Sequence, residues 1–248
     1  MPEHNLYKNN YLTKVIARID YNSLEVLEKP LSKSLMEYCL QFFPIFEPRE
    51  MISRELQISS SDIKSKEKKK NEWFFHGKNR EKTLIISENF CAIEYQKQES
   101  YKNFREEFLK IKDQLFHHFD ELVLSRLGLR YINNIEKNEI SFTEWAKYLD
   151  PKLLSIFDVA DDKNRISRAF HNLELNYEKF NIKFQYGMHN PDYPAPIRRK
   201  IFILDYDGYV SGFQNRDEVE KNFNDINEKI YNFFESCITE ELRREMLG

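Results

Sequence analysis

Apolar and polar residues alternate from residue 11 to 22, Tyr-Leu-Thr-Lys-Val-Ile-Ala-Arg-Ile-Asp-Tyr-Asn. A two-residue rhythm is that of a strand with one buried face. The rhythm then lengthens: Leu35, Tyr38, Cys39, Phe42 and Phe43 predict an apolar helix over 31–43. Pro44 stops it, because proline has no N–H to donate and crowds the turn before it. Strands are predicted over 50–58, 72–77 and 83–96, the last two as a pair. Residues 101–119 predict a long helix, since Phe104, Phe108, Ile111, Leu115 and Phe119 recur at steps of four and three along one face.

The second part of the chain repeats this order. A strand is predicted over 122–135. Short helices follow over 142–157, with Trp145, Tyr148, Leu149, Leu153 and Phe157 as core candidates. A long strand or two spans 169–187, where Asn181 to Tyr186 alternate cleanly. A proline-bearing loop, His189 to Arg198, leads to a strand from Lys200 to Tyr206. The last helix, 216–237, buries Val219, Phe223, Ile226, Ile230 and Phe233. The fold class expected is therefore α+β. Two similar strand–helix–strands–helix halves, residues 1–120 and 121–248, form one pseudo-duplicated unit with antiparallel sheet backed by long helices. The layout is analogous to the helix-backed saddles of TATA-binding-protein-like folds, an analogy that carries no function.

Composition narrows the chemistry. The 248 residues suffice for one large domain or two packed lobes. Thirty-eight basic residues against 41 acidic ones give a net charge of −3, which makes no global case for nucleic acid. Only six glycines are present, and no GxGxxG or GxxxxGK[ST] occurs, so phosphate-loop readings lose their anchor. The apolar runs are too short to cross a membrane, and Met1 to Asn5 lack the apolar region of a leader, so a cytoplasmic location is expected. Cys39, Cys91 and Cys237 sit among apolar residues and read as reduced, buried thiols.

The candidate site residues come from a few positions. Arg126 and Arg130 share one face of the 122–135 strand, since side chains repeat every second residue. They predict either an ion-pair network with acids of the same chain, the favoured reading, or an anion site. Asp205 and Asp207, on one face of their own strand, are the first partners. These two could also serve as hard-metal ligands, with His189, Asp192, Asp161 and Asp162 as the other donors at hand. Asp207-Gly208 equally reads as a tight turn between strands. His117 and His118, adjacent on a helix, do not share a face, and His76, His171 and His189 read as isolated. No metal site or cofactor is expected. The run from Lys64 to Lys70, including Lys68, Lys69 and Lys70, reads as an exposed hairpin loop over 62–71. With Arg198, Arg199 and Lys200 it makes a second basic loop, and the two could act as prongs for an anionic partner.

A family resemblance is carried by Leu129-Arg130-Tyr131-Ile132-Asn133 after a long helix, by Leu204-Asp205-Tyr206-Asp207, and by a final helix ending Phe233-Phe234-Glu235-Ser236-Cys237-Ile238-Thr239-Glu240-Glu241-Leu242, with the opening Tyr11 to Asn22 strand as its start. Together they resemble a sporadically distributed, uncharacterised prokaryotic family of about this length, with an LRYxN strand, a DxD strand end and a closing F…IT segment. The resemblance implies no biochemistry; patchy distribution is associated with defence islands. The leading expectation is a non-enzymatic binding or adaptor protein acting with a protein partner, in a phage-defence or toxin–antitoxin-like module, with a homodimer as an option. The alternatives are nucleic-acid binding through loops 64–70 and 198–200, and an enzyme using Asp205 and Asp207 with Arg126 and Arg130.

Overall fold

The computed structural model describes residues 7–22, 31–58, 63–96, 100–195 and 197–248. The amino-terminal Met1 to Asn5, and positions 59–62, lie outside them. The described residues form a nine-stranded sheet with four α-helices, an α+β fold. The strands are β1 (Leu12–Tyr21), β2 (Ile45–Ile58), β3 (Ile63–His76), β4 (Lys82–Ile86), β5 (Phe90–Tyr95), β6 (Leu124–Glu136), β7 (Ala169–Asn176), β8 (Asn181–His189) and β9 (Ile201–Gln214). The helices are α1 (Lys33–Phe42), α2 (Tyr101–His118), α3 (Val219–Cys237) and α4 (Glu240–Leu247). The sheet order is β2-β3-β4-β5-β1-β6-β9-β8-β7. No helix among the described residues is long and apolar enough to cross a membrane.

The chain divides into two compact units that interleave in sequence. One comprises Met1–Val15, Gly128–Val210 and Glu220–Gly248; the other comprises Ile16–Leu127 and Ser211–Val219. In the second of these, α2 buries Phe104, Phe108, Ile111, Leu115 and Phe116. Ser100 starts this helix by accepting from the Asn103 N–H, one of the donors a helix start leaves over. Helix α1 begins in the same way, on Ser32. Lys82 and Tyr95 both reach Glu107 of α2, which ties that helix to β4 and β5.

In the first unit the core lies on one side of β6, β9 and β8. Phe202, Leu204 and Tyr206 of β9 and Ile182, Phe184 and Met188 of β8 are buried at alternate positions. Phe184 packs on Phe233 of α3 at 4.7 Å between ring centres. Tyr131 of β6 donates to Asn227 of the same helix. Trp145 and Phe157, from short 3-10 turns, both pack on Phe202. The closing segment is not one helix through Leu242: α3 ends at Cys237 and α4 starts afresh at Glu240. Thr239 caps its start, and Leu242 and Met246 bury its inner face. Lys137, lodged beside the rings of Tyr11 and Tyr148, also holds Glu245 of this helix.

Two expectations need correction. Residues 63–71 are not a loop: they belong to β3 and pair with β2, Lys68 opposite Ser53, Lys69 opposite Ile52 and Lys70 opposite Met51. Backbone pairing across a long hairpin overrides the low strand preference of lysine. Asp207-Gly208 is not a turn either; both lie within β9, opposite Lys183 and Ile182 of β8. The glycine serves close packing. A Cβ at Gly208 would overlap Ile226 Cγ2 and stand 3.0 Å from Ile230 Cδ1 of α3. Gly208→Ala is therefore expected to cost about 1–3 kcal/mol, the usual range for overpacking. Chemical denaturation measures this, and Ile226→Ala in the same chain should return part of the loss by opening space. A neutral Gly208→Ala would show that α3 does not seat on this position.

Candidate functional site

The opposite face of β6, β9 and β8 carries Arg130, Asp205, Asp207, Lys183 and Gln185, which line an open pocket of about 120 Å³. Strand alternation accounts for their common side: the helix-facing positions of β9 are Phe202, Leu204 and Tyr206, so Asp205 and Asp207 point the other way. Register brings the partners together, because Gln185 stands opposite Asp205 and Lys183 opposite Asp207. Neighbouring β6 supplies Arg130.

At the centre is the pair expected from the sequence. Arg130 donates from Nε to Asp205 Oδ1 at 2.8 Å and from Nη2 to Asp205 Oδ2 at 2.6 Å. Two parallel bonds between a planar guanidinium and a carboxylate fix both groups in direction as well as distance. The pair is lopsided in burial: the Asp205 side chain is 9% exposed and that of Arg130 is 41% exposed. The carboxylate thus relies on the arginine for its neutralisation, while the arginine keeps one side toward solvent.

Arg126 departs from expectation. Its side chain is 27% exposed, and its Nη1 stands 3.9 Å from an acid the sequence reading did not name, Asp20 of β1. Asp20 also accepts from Arg18 Nε at 2.6 Å, and that guanidinium lies 4.1 Å from the centre of the Phe90 ring. Both arginines of the central strand are partly exposed, Arg126 at 27% and Arg130 at 41% of the side chain. Arg198 and Arg199 are exposed in the loop before β9. The placement of Lys68, Lys69 and Lys70 in β3 removes the pair of equivalent basic loops.

The histidines are less isolated than their spacing implied. His76 is buried, with Nδ1 3.0 Å from the Thr83 hydroxyl and Nε2 3.3 Å from Glu47 Oε2 in a contact too oblique to count as a hydrogen bond. Glu47 is also bound by Arg80, whose hydrogen bond holds the carboxyl below its ordinary range. His118 Nδ1 is 2.8 Å from the Gln114 carbonyl, which can only accept, so this nitrogen carries the proton. In the neutral ring Nε2 then accepts from the Ser34 hydroxyl at 2.9 Å, linking the start of α1 to the end of α2. His171 stacks on Tyr186 at 5.0 Å. Of the proposed metal donors, Asp162 caps a 3-10 turn through the Asn164 N–H, and the Asp192 N–H donates to Asn190. Among the described residues no group of three or more His, Cys, Asp or Glu is placed to hold a metal.

The three cysteines are free and buried. Burial pushes the Cys39 thiol up to about 12, far from the range of a reactive thiolate. One half-buried carboxylate is displaced the other way. Glu144 bonds to Lys147 Nζ at 2.8 Å and accepts from the Ser141 N–H at 2.8 Å. These bonds, that of Lys147 foremost, lower its pKa to about 2. A depressed carboxylate stabilises the fold above its unfolded value and loses that contribution as pH falls. The turn over Phe142–Lys147 should therefore keep its start down to about pH 2. A carbon-detected NMR titration of Glu144 should show its midpoint there; a midpoint near the ordinary 4.5 would remove this bond set from solution.

Sequence reasoning missed Lys183, Gln185 and Asp20. Lys183 and Gln185 were visible as the polar half of an alternating strand, but nothing local says which strand lies beside them. Comparison of the chain with family models, with curated proteins and with solved structures returns no match.

Proposed function

We propose that this chain is a non-enzymatic binding protein that engages a protein partner through the pocketed face of β6, β9 and β8. The observation that carries this reading is the balance of charge in the pocket. Arg130 and Lys183 stand with Asp205 and Asp207 around Gln185. A polyanion brought to this face would meet two carboxylates, whereas a protein surface with side chains of both signs can match all five positions. Asp205, held by both oxygens on Arg130, is poorly disposed for a hard cation, which favours binding over metal-assisted chemistry. The setting implied by the resemblance, a defence-type module, suits such an adaptor.

The test is a photo-crosslinking residue at Gln185, with one at the exposed Lys221 of α3 as control, applied in native lysate. A discrete protein adduct at position 185 and none at 221 is the expected result. Equal adducts at both positions, or adducts to nucleic acid at 185, would overturn the reading. Exposed Arg198 and Arg199 favour nucleic acid as the second reading. Binding of that kind would weaken steeply with added salt.

We also infer that the chain arose by duplication of one α+β unit. The strand order supports this: β1 stands beside β5 and β6 beside β9, so each first strand neighbours the last strand of its own half. Helices α2 and α3 then follow those last strands. An experimental structure with α2 and α3 seated differently over their strands would count against it.

A further inference from the structure

We propose that two copies of this chain pair edge to edge through β7, in antiparallel register about a two-fold axis at Leu173. This goes beyond the reading of the pocketed face and does not depend on it. Strand β7 is the end of the sheet, bonded only to β8 among the described strands. An edge strand presents a row of backbone donors and acceptors that can template another strand, and proteins usually blunt it with lysine, proline or a very short length. The edge here, Ala-Phe-His-Asn-Leu-Glu-Leu-Asn, has eight residues and neither of those side chains. Leu173, 42% exposed, stands near the middle of this edge, with Phe170, 37% exposed, on the opposite face.

Self-pairing is restricted by geometry, which makes the argument specific to a second copy. Residues opposite each other in an antiparallel pair lie on the same side of the sheet. A two-fold axis perpendicular to the sheet preserves that side, so the axis must pass through a residue and not between two. An axis at Glu174 would set two carboxylates face to face, which is unfavourable. An axis at Asn172 would set Phe170 against Glu174. An axis at Leu173 sets Leu173 against Leu173 and the Asn172 amide against the Glu174 carboxylate, twice by symmetry. It also pairs residues 170–176 of both copies. The strand is complementary to itself in this register.

Sedimentation velocity of the full chain at micromolar concentration tests the proposal. The expected result is a species of twice the chain mass, converted to monomer by Leu173→Lys, which would place two ammonium groups together on the axis. A chain that is monomeric throughout the range would overturn it and leave the edge to a strand of another protein. A Leu173→Lys chain that stays dimeric would overturn it as well. Should that variant fail to fold, Leu173→Cys decides: a short bis-maleimide should join two copies at 173 and not at a Leu247→Cys control, the natural cysteines being buried. Equal joining at both positions would reject the interface.

Discussion

Gly187→Ala is expected to be among the most damaging single-methyl additions to this chain. Gly187 has φ +145°, a backbone conformation that side-chain-bearing residues rarely adopt. It lies in β8 opposite Phe170 of β7. An added Cβ would overlap the carbonyl oxygen of Ala169 and stand 2.9 Å from its carbon. Two costs combine: about 1–3 kcal/mol for the conformation and about 1–3 kcal/mol for overpacking. Backbone cannot rotate away as a side chain can, so β7 must move from β8. Gly212→Ala separates the two terms. That glycine has φ +95° with nothing within 4 Å of an added Cβ, so only the conformational cost applies. Urea denaturation should show a larger loss for Gly187→Ala than for Gly212→Ala. Equal losses would mean that the Ala169 carbonyl yields freely. Because β7 is the proposed dimer edge, Gly187→Ala should also weaken association.

Arg130→Ala is expected to lower stability by about 2–4 kcal/mol. That lies between the small worth of an exposed ion pair and the 3–5 kcal/mol of breaking a fully buried one. The cost comes from Asp205, whose carboxylate is 9% exposed in its side chain and would lose both of its guanidinium bonds. For a chain of this size each kcal/mol shifts the melting temperature by roughly 2–4 °C. Asp205→Ala should cost less, because the arginine left behind is 41% exposed and can turn to water. The double variant should fall well short of the sum of the singles, since removing both charges leaves no stranded group. A melting temperature that holds or rises in Arg130→Ala would reverse the assignment and make Arg130 a site for an anionic ligand.

Local rules reached far in this chain wherever an element is decided by its own periodicity. The 101–119 and 216–237 helices were legible because their apolar steps of four and three make a buried face whatever covers it. The observed α2 and α3 keep those faces. The strands β1, β6 and β8 were legible from alternation, and with them the common face of Arg126 and Arg130. That Arg130 would meet Asp205 followed because a half-buried arginine most often meets an acid of its own chain, and Asp205 and Asp207 share one face of their strand.

Tertiary structure decided what periodicity cannot carry, which is adjacency. Strand order placed β1 beside β6, which brings Asp20 to 3.9 Å from Arg126. Register placed Lys183 and Gln185 at the pocket, and no property of either residue announces its neighbour across the sheet. Asp207-Gly208 has the composition of a turn, but the seat of Ile226 and Ile230 requires a missing side chain in mid-strand, and packing outweighs turn preference. The lysine run looked like a loop because its own residues prefer solvent; pairing with β2 made it a strand. In each case a segment's own residues fix the faces and charges it offers. The pairing of segments distant in the chain determined which of them meet, because a hydrogen-bonded ladder is specified jointly by both strands.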